Sequence, residues 1–144
     1  MKDILRKIIH LLLIKKSYSQ DHEDLFLINY FKNKNKGYYF DIGCHHPKRF
    51  SNTYLLYKKG WNGINIDANK WSIILFKWLR PKDQNLCTVI STSNDFVTFY
   101  EFNDSAINGI LSPRRVSKLK ELGFIVKRST QREPHTIQEV IEKY

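Results

Sequence analysis

The chain has 144 residues, of which 42% are hydrophobic and 26% charged, with 6 Gly and 4 Pro. This length and composition predict a single folded core and exclude a disordered or collagen-like chain. Its 24 basic residues outnumber the 14 acidic ones, but they are spread along the sequence, which favours a solvated basic surface over a specific nucleic-acid interface.

Residues 1–16 predict an amphipathic helix, because Ile4, Ile8, Leu11 and Leu12 fall on one helical face. The apolar run that begins at Leu11 is too short for a membrane span, which needs about 20 residues. A small-residue cleavage site of the kind that follows a signal peptide is missing as well. Residues 17–144 are predicted to form the domain that carries the function.

The first helix of that domain is predicted to start with Ser19 as its N-cap and to end at the lysine-rich stretch before Gly37. Strands and helices then alternate. The strand segments are "YYFDIG", "GINID" and "NLCTVIST", and the helix segments are "SNTYLLYKKG", with Ser51 or Asn52 as its cap, and "NKWSIILFKWLR".

This alternation predicts an α/β fold with parallel strands in the spatial order third, second, first, joined by right-handed crossovers. The spacing of Trp71 and Trp78 predicts that both pack against the sheet. Beyond them the sequence predicts a strand, a loop, a basic helix, a strand and a final helix, in the segments "FVTFYEF", "NDSAINGILSP", "RRVSKLKELG", "FIVKRST" and "TIQEVIEKY".

Ligands of open parallel sheets bind outside the carboxyl ends of the strands. The first strand ends at Asp41 and Gly43, and a glycine there lets the backbone turn and approach a ligand closely. The second strand ends at Asp67, which is positioned to accept hydrogen bonds from ribose hydroxyls. The third strand ends near Ser91 to Ser93, where an adenine edge could be contacted. The alternative interpretation is that Asp41 and Asp67 are ordinary turn residues of an α/β protein and bind no ligand.

Cys44, His45 and His46 follow the first strand and are all ligand types for zinc. Adjacent side chains rarely converge on one ion, so no metal is predicted. His45 or His46 could act as a general base, or could shape the turn, and the sequence favours neither role. Two cysteines in all, Cys44 and Cys87, do not make a disulfide framework, which favours a cytoplasmic location.

Three segments together resemble the FkbM-type methyltransferases, which are S-adenosylmethionine-dependent enzymes with a Rossmann-like fold. They are "SQDHEDL", "GYYFDIGCHHPKRFSNTYLLYKKGWNGINIDAN" and "NDSAINGILS". The resemblance implies a Rossmann-like methyltransferase fold with a parallel sheet that is incomplete at the C-terminus. It also implies S-adenosylmethionine as cofactor and a sugar or natural-product hydroxyl as methyl acceptor.

Carried over residue by residue, the resemblance assigns Asp41 and Gly43 to the first cofactor motif and Asp67 to the ribose. The family's opening motif matches Gln20, Glu23 and Asp24, and its next helix matches Asn52 and Thr53.

Two alternatives stay open: a non-catalytic fragment with a partial cofactor pocket, and a basic module that binds RNA or an anionic glycan. The expected partners are a small-molecule or glycan hydroxyl acceptor and no specific nucleic acid. An exposed edge on the first strand predicts self-association.

Overall fold

The structure is a computed structural model that describes residues 17–92 and 94–144. The predicted helix over residues 1–16 lies outside the described residues, as does Ser93. The chain forms two compact units. The described part of the first unit comprises residues 17–39 and 48–62, and the second unit comprises residues 40–47 and 63–144.

The predicted elements from residue 17 onward are present, but the third strand ends at Cys87 rather than near Ser91, and the predicted loop "NDSAINGILSP" contains a 3-10 turn and a short strand. The helices are α1 (Glu23–Tyr30), α2 (Tyr54–Lys58), α3 (Lys70–Leu79), α4 (Pro113–Glu121) and α5 (Ile137–Lys143), with a 3-10 turn at Ser105–Ile107. The strands are β1 (Tyr38–Ile42), β2 (Asn62–Asp67), β3 (Gln84–Cys87), β4 (Val97–Phe102), β5 (Gly109–Ile110) and β6 (Val126–Arg132). In the part of the chain that the structure describes, no helix is long and apolar enough to cross a membrane.

Three strands form a small parallel sheet in the order β1-β2-β3, which confirms the predicted order. Strand β2 lies at the centre, and its residues from Gly63 to Ile66 are all buried. Continuous burial of this kind is typical of a parallel strand that is covered on both faces. The register pairs Ile64 with Gln84 and Asp67 with Cys87, so β2 and β3 end side by side.

Strand β4 does not extend that sheet. It forms a separate antiparallel sheet in the order β5-β4-β6. The register places Glu101 opposite Arg128 and Val97 opposite Arg132, with an irregularity between Glu101 and Phe102. The architecture is therefore mixed α/β, with one parallel and one antiparallel sheet.

The first unit has its own apolar core, in which Trp61 is central. Tyr39, Leu56 and Trp61 are buried, and partly buried residues Leu27, Ile28 and Phe31 pack against them. The rings of Phe31 and Trp61 are 4.9 Å apart. A Cβ at Gly37 would lie 2.3 Å from the Trp61 ring, so only glycine lets the chain pass this indole without displacing it.

The N-cap position is His22, whose φ is 66°, and not Ser19 as predicted. The Ser19 hydroxyl nevertheless accepts a 3.3 Å hydrogen bond from the Asp24 amide in the first turn of α1, so the prediction that Ser19 supports this helix start is partly right. Ser19 also donates a 2.9 Å hydrogen bond to the carboxylate of Asp24. Asp24 is 0% exposed and also accepts hydrogen bonds from Ser17, from the Tyr18 amide and from its neighbour's amide. This buried carboxylate organises the loop that precedes α1.

Helix α2 begins later than either predicted cap, Ser51 or Asn52, would place it. Thr53 occupies the N-cap position without a side-chain capping bond. The Ser51 hydroxyl nevertheless accepts a 3.1 Å hydrogen bond from the Tyr54 amide, so the prediction that Ser51 supports this helix start is partly right.

The prediction that Trp71 and Trp78 pack against the sheet is wrong, because they are 74% and 83% exposed. Helix α3 instead buries Ile73 and Phe76, which pack together with Cys44. Apolar residues surround most of this helix, and their spacing therefore does not identify its buried face.

A buried ion pair lies near the start of β2 and β3 in the second unit. Arg80 Nε donates a 2.8 Å hydrogen bond to Asp83, and both side chains are 0% exposed. The Asp83 carboxylate also accepts from the Gly63 amide at 3.0 Å and from the Asn65 side chain at 2.8 Å. These contacts fix the start of β2 against the β3 side of the sheet.

Candidate functional site

The turn after β1 is built around Gly43, whose φ of 75° is a conformation that glycine adopts without the strain that a side chain would add. The amides of Gly43 and Cys44 both donate to the carbonyl of Ile66, at 2.9 and 3.1 Å. A Cβ placed at Gly43 would meet no atom within 4 Å. The glycine is thus required by the backbone conformation, and the space beside it is open to a ligand.

Asp67, at the end of β2, connects this turn to the start of α3. Its Oδ2 accepts a 2.8 Å hydrogen bond from the His45 amide, and its Oδ1 accepts a 2.7 Å hydrogen bond from the Asn69 amide. A carboxylate has about four lone-pair positions, so each oxygen retains capacity for another donor. Asp67 therefore has a structural role and can still accept from a ligand.

The backbone of His45 is held at both of its polar groups. Besides its amide bond to Asp67, its carbonyl accepts a hydrogen bond from the Ser72 hydroxyl. Its φ is 54°, and the His46 amide donates to the Cys44 carbonyl at 2.6 Å. This arrangement supports a turn-shaping role for the histidine pair, while the general-base role stays a prediction.

The Cys44 thiol is only 3% exposed, and burial raises its pKa well above the ordinary value. The negative charges of Asp41 and Asp67 raise that pKa further. The thiol therefore stays protonated and acts as a core residue. Asp41 itself lies half-buried within β1, close enough to influence this thiol.

A cavity of about 270 Å³ opens at the carboxyl ends of the three parallel strands. It brings together Gly43 and Asp67, as the sequence predicted. Its lining, all from the second unit, consists of Ile42, Gly43, Ile66, Asp67, Ala68, Thr88, Val89, Ile90, Phe99, Asn108, Gly109 and Ile110. The histidines at 45 and 46 lie outside this lining, whereas Asn108 and Gly109 come from the "NDSAINGILS" segment.

A second cavity of about 440 Å³ shares Ala68, Phe99 and Asn108 with the first. We call it the basic cavity, because three of its lining residues are cations. Its remaining lining residues are Asn69, Lys70, Trp71, Glu101, Arg128 and Arg132. This cavity was not predicted from the sequence, although Arg128 and Arg132 stand at the same-face spacing of a strand.

Gln20, Glu23 and Asn52 belong to the first unit, where all three are exposed. Hydrogen bonds from its own backbone amide, the Ser19 hydroxyl and the Asp21 amide hold the pKa of Glu23 below the ordinary value. Glu23 is therefore ionised at neutral pH. Asp41, Gly43 and Asp67 belong to the second unit, so the predicted cofactor residues are divided between the two.

Among residues 17–92 and 94–144, no three His, Cys, Asp or Glu side chains are grouped so that they could hold a metal ion. Comparison with known protein families, with curated proteins and with solved structures finds no match to this chain.

Proposed function

We propose that this chain is an S-adenosylmethionine-dependent methyltransferase of FkbM type with a Rossmann-like cofactor half. One observation carries the proposal. Gly43 and Asp67 follow adjacent parallel strands and line one cavity at the carboxyl ends of those strands. Nucleoside ligands of open α/β sheets bind at this position.

The residues at this site fit the cofactor in two respects. The open space beside Gly43 would let a ligand reach the backbone, where a larger residue would project a side chain. Asp67 retains lone pairs for the two hydroxyls of a ribose. At about 270 Å³ the cavity is slightly smaller than the usual range for ligand sites, about 300–1,000 Å³, and the adjoining basic cavity extends it.

When bound, S-adenosylmethionine would supply an electrophilic methyl group: the acceptor hydroxyl oxygen bonds to the methyl carbon, the carbon–sulfur bond breaks to release S-adenosylhomocysteine, and the hydroxyl proton passes to a base. The contribution of the chain is to hold the ligands in near-attack geometry. Asp67 would orient the ribose and Gly43 would let the ligand approach the turn. We assign Asp41 to that turn and His45 or His46 to proton removal.

Calorimetric titration with S-adenosylmethionine and S-adenosylhomocysteine tests the proposal. Wild type is expected to bind both, and Asp67→Ala is expected to bind at least about ten-fold more weakly, because hydrogen bonds to a carboxylate are worth roughly 1.5–3 kcal/mol each. Asp104→Ala is a matched control, since Asp104 is an exposed carboxylate that also accepts from a backbone amide. A folded wild-type protein that binds neither ligand would rule the proposal out.

A second candidate function is binding of the nucleoside ligand without turnover. Both carboxylate oxygens of Asp67 accept hydrogen bonds from backbone amides, so this residue supports the fold as well as the proposed pocket. A protein that had lost catalysis could therefore still retain Asp67 and bind the nucleoside. Transfer of a labelled methyl group from S-adenosylmethionine to a sugar hydroxyl separates the two functions, because only the enzyme yields methylated product.

A further inference from the structure

We propose that the basic cavity binds the anionic group of a sugar acceptor that carries a phosphate or a carboxylate. Its description as an acceptor site rests on the methyltransferase function proposed above, whereas the anion site itself stands on its own geometry. Three cations and a single carboxylate line this cavity, namely Lys70, Arg128, Arg132 and Glu101.

The strand register places the two arginines on one face of the antiparallel sheet. Arg128 lies opposite Glu101, and Arg132 lies opposite Val97. Residues two apart on a strand share a face, so Thr130 lies between the two arginines on that face. Positions four residues apart on a strand are separated by about 13 Å, so the long side chains of the two arginines can reach one ligand that lies between them.

Arg132 is oriented by one hydrogen bond and only weakly paired with a carboxylate. Its Nε donates a 3.1 Å hydrogen bond to the Thr130 hydroxyl, which directs the guanidinium along the sheet. Its nearest carboxylate oxygen, on Glu101, is 3.8 Å away, and the two side chains are 38% and 33% exposed. A partly exposed pair at this separation contributes little energy. A phosphate or carboxylate, which pairs with arginine in a bidentate manner, would therefore compete successfully for this guanidinium.

The start of α3 forms another wall of the cavity. Asn69 accepts hydrogen bonds from the Trp71 and Ser72 amides, so two amides of the first turn of this helix are already occupied. Anion binding would therefore depend on side-chain cations rather than on the helix terminus. The Trp71 indole is 74% exposed and lines the same cavity. Its flat apolar face suits the C–H face of a sugar ring.

The basic cavity adjoins the cavity proposed for the cofactor. It shares Ala68, Phe99 and Asn108 with the cavity that contains Gly43 and Asp67. A sugar held by its anionic substituent at Arg128 and Arg132 would direct its remaining hydroxyls toward this shared wall. A charged acceptor is thus recognised at one end and presented to the cofactor at the other.

Calorimetric titration with glucose 1-phosphate, glucuronate and methyl glucoside tests the inference. Wild type is expected to bind at least one of the two anionic sugars, and to bind the neutral methyl glucoside at least about ten-fold more weakly. The double variant Arg128→Gln/Arg132→Gln is expected to lose at least about ten-fold in affinity for the anionic sugar. Lys127→Gln is the matched control, because Lys127 is an exposed cation of β6 outside the cavity lining.

S-adenosylhomocysteine binding by the same proteins separates this inference from the proposed function. If anionic sugars bind through the two arginines while S-adenosylhomocysteine does not bind, the anion site stands and the methyltransferase function fails. The inference is overturned if no anionic sugar binds, if the neutral sugar binds equally well, or if the double variant binds like wild type. The inference is also overturned if single-stranded RNA is the only ligand that binds and the arginine double variant and Lys127→Gln reduce RNA affinity equally. The basic surface would then bind polyanions without specificity.

Discussion

The His45 amide donates a 2.8 Å hydrogen bond to the Asp67 carboxylate, although 22 residues separate the two in the chain. This contact uses the backbone of His45, not its imidazole. Replacement of both His45 and His46 by Asn should therefore preserve the turn, because Asn tolerates positive φ better than most residues. We expect S-adenosylhomocysteine affinity within about three-fold of wild type, against a loss of about ten-fold or more for Asp67→Ala.

The same variant distinguishes the two roles considered for the histidines. If one of them is the general base, the rate of methyl transfer falls while calorimetry shows cofactor affinity unchanged. A parallel loss of affinity and rate would instead mean that the imidazoles support the pocket.

Gly43 and Gly123 form a natural pair for a substitution experiment. Both have positive φ, 75° and 88°, and a Cβ at either would meet no atom within 4 Å. Gly43→Ala and Gly123→Ala should thus each lower the free energy of unfolding by about 1–2 kcal/mol. Only Gly43 lines the cavity, so only Gly43→Ala should weaken S-adenosylhomocysteine binding. Equal binding by both variants would argue against a ligand beside this turn.

The buried Arg80–Asp83 pair should be the most sensitive electrostatic contact of the second unit. Asp83→Ala removes the carboxylate that pairs with an arginine side chain that is 0% exposed, and we expect the free energy of unfolding in urea denaturation to fall by about 3–5 kcal/mol. Glu101→Ala breaks a partly exposed pair and should cost under about 1 kcal/mol. The apolar double variant Arg80→Met/Asp83→Leu should be more stable than Asp83→Ala, and the reverse order would contradict this explanation.

Asp24 should make the stability of the first unit depend on pH in the acidic range. Burial raises the pKa of Asp24, but hydrogen bonds from Tyr18, Ser17, Ser19 and Leu25 outweigh it, and the net pKa is below the ordinary value of 3.8. A carboxylate with a depressed folded-state pKa stabilises the fold fully above its unfolded value and progressively loses that stabilisation as pH falls through the folded value.

We therefore expect Asp24→Asn to reduce the urea midpoint at pH 7 and to approach wild type below pH 3.8. Asp21→Asn, at an exposed neighbouring position, should leave the midpoint unchanged throughout. If the difference in urea midpoint between Asp24→Asn and wild type increases as the pH falls, the assigned direction of the pKa shift is contradicted.

Strand β1 terminates the parallel sheet and presents Tyr38, Phe40 and Ile42, which are 47%, 39% and 48% exposed. An exposed apolar strand of this kind favours pairing with a second copy of the chain. We expect wild type to self-associate in sedimentation velocity experiments and Phe40→Lys to shift it toward monomer. Phe26→Lys, on an exposed position of α1, is the control. A monomeric wild type at all concentrations would contradict the prediction.

The parallel sheet and the ends of β1 and β2 could be predicted from the sequence, because the alternation of strands and helices and the positions of Gly43 and Asp67 are local signals. The end of β3 could not, since the apolar run continues past Cys87, where the strand stops. The burial of α3 could not be predicted. Trp71, Ile73, Phe76 and Trp78 give that helix apolar residues on several faces, and only tertiary packing selects Ile73 and Phe76.

The basic cavity escaped prediction for a different reason. Its walls come from α3, β4 and β6, which are far apart in sequence, and their approach depends on the pairing of β4 with β6. The contact between Ser19 and the Asp24 carboxylate was missed similarly, since a buried carboxylate with several donors resembles a surface acid in the sequence.

Residues 40–47 belong to the second unit, but the chain enters and leaves them from the first. A contiguous fragment over residues 63–144 would thus lack Gly43 and the strand that precedes it, and would form only part of the cavity. Dissection of this protein into halves, and fragment complementation, should therefore use permuted rather than simple truncated chains.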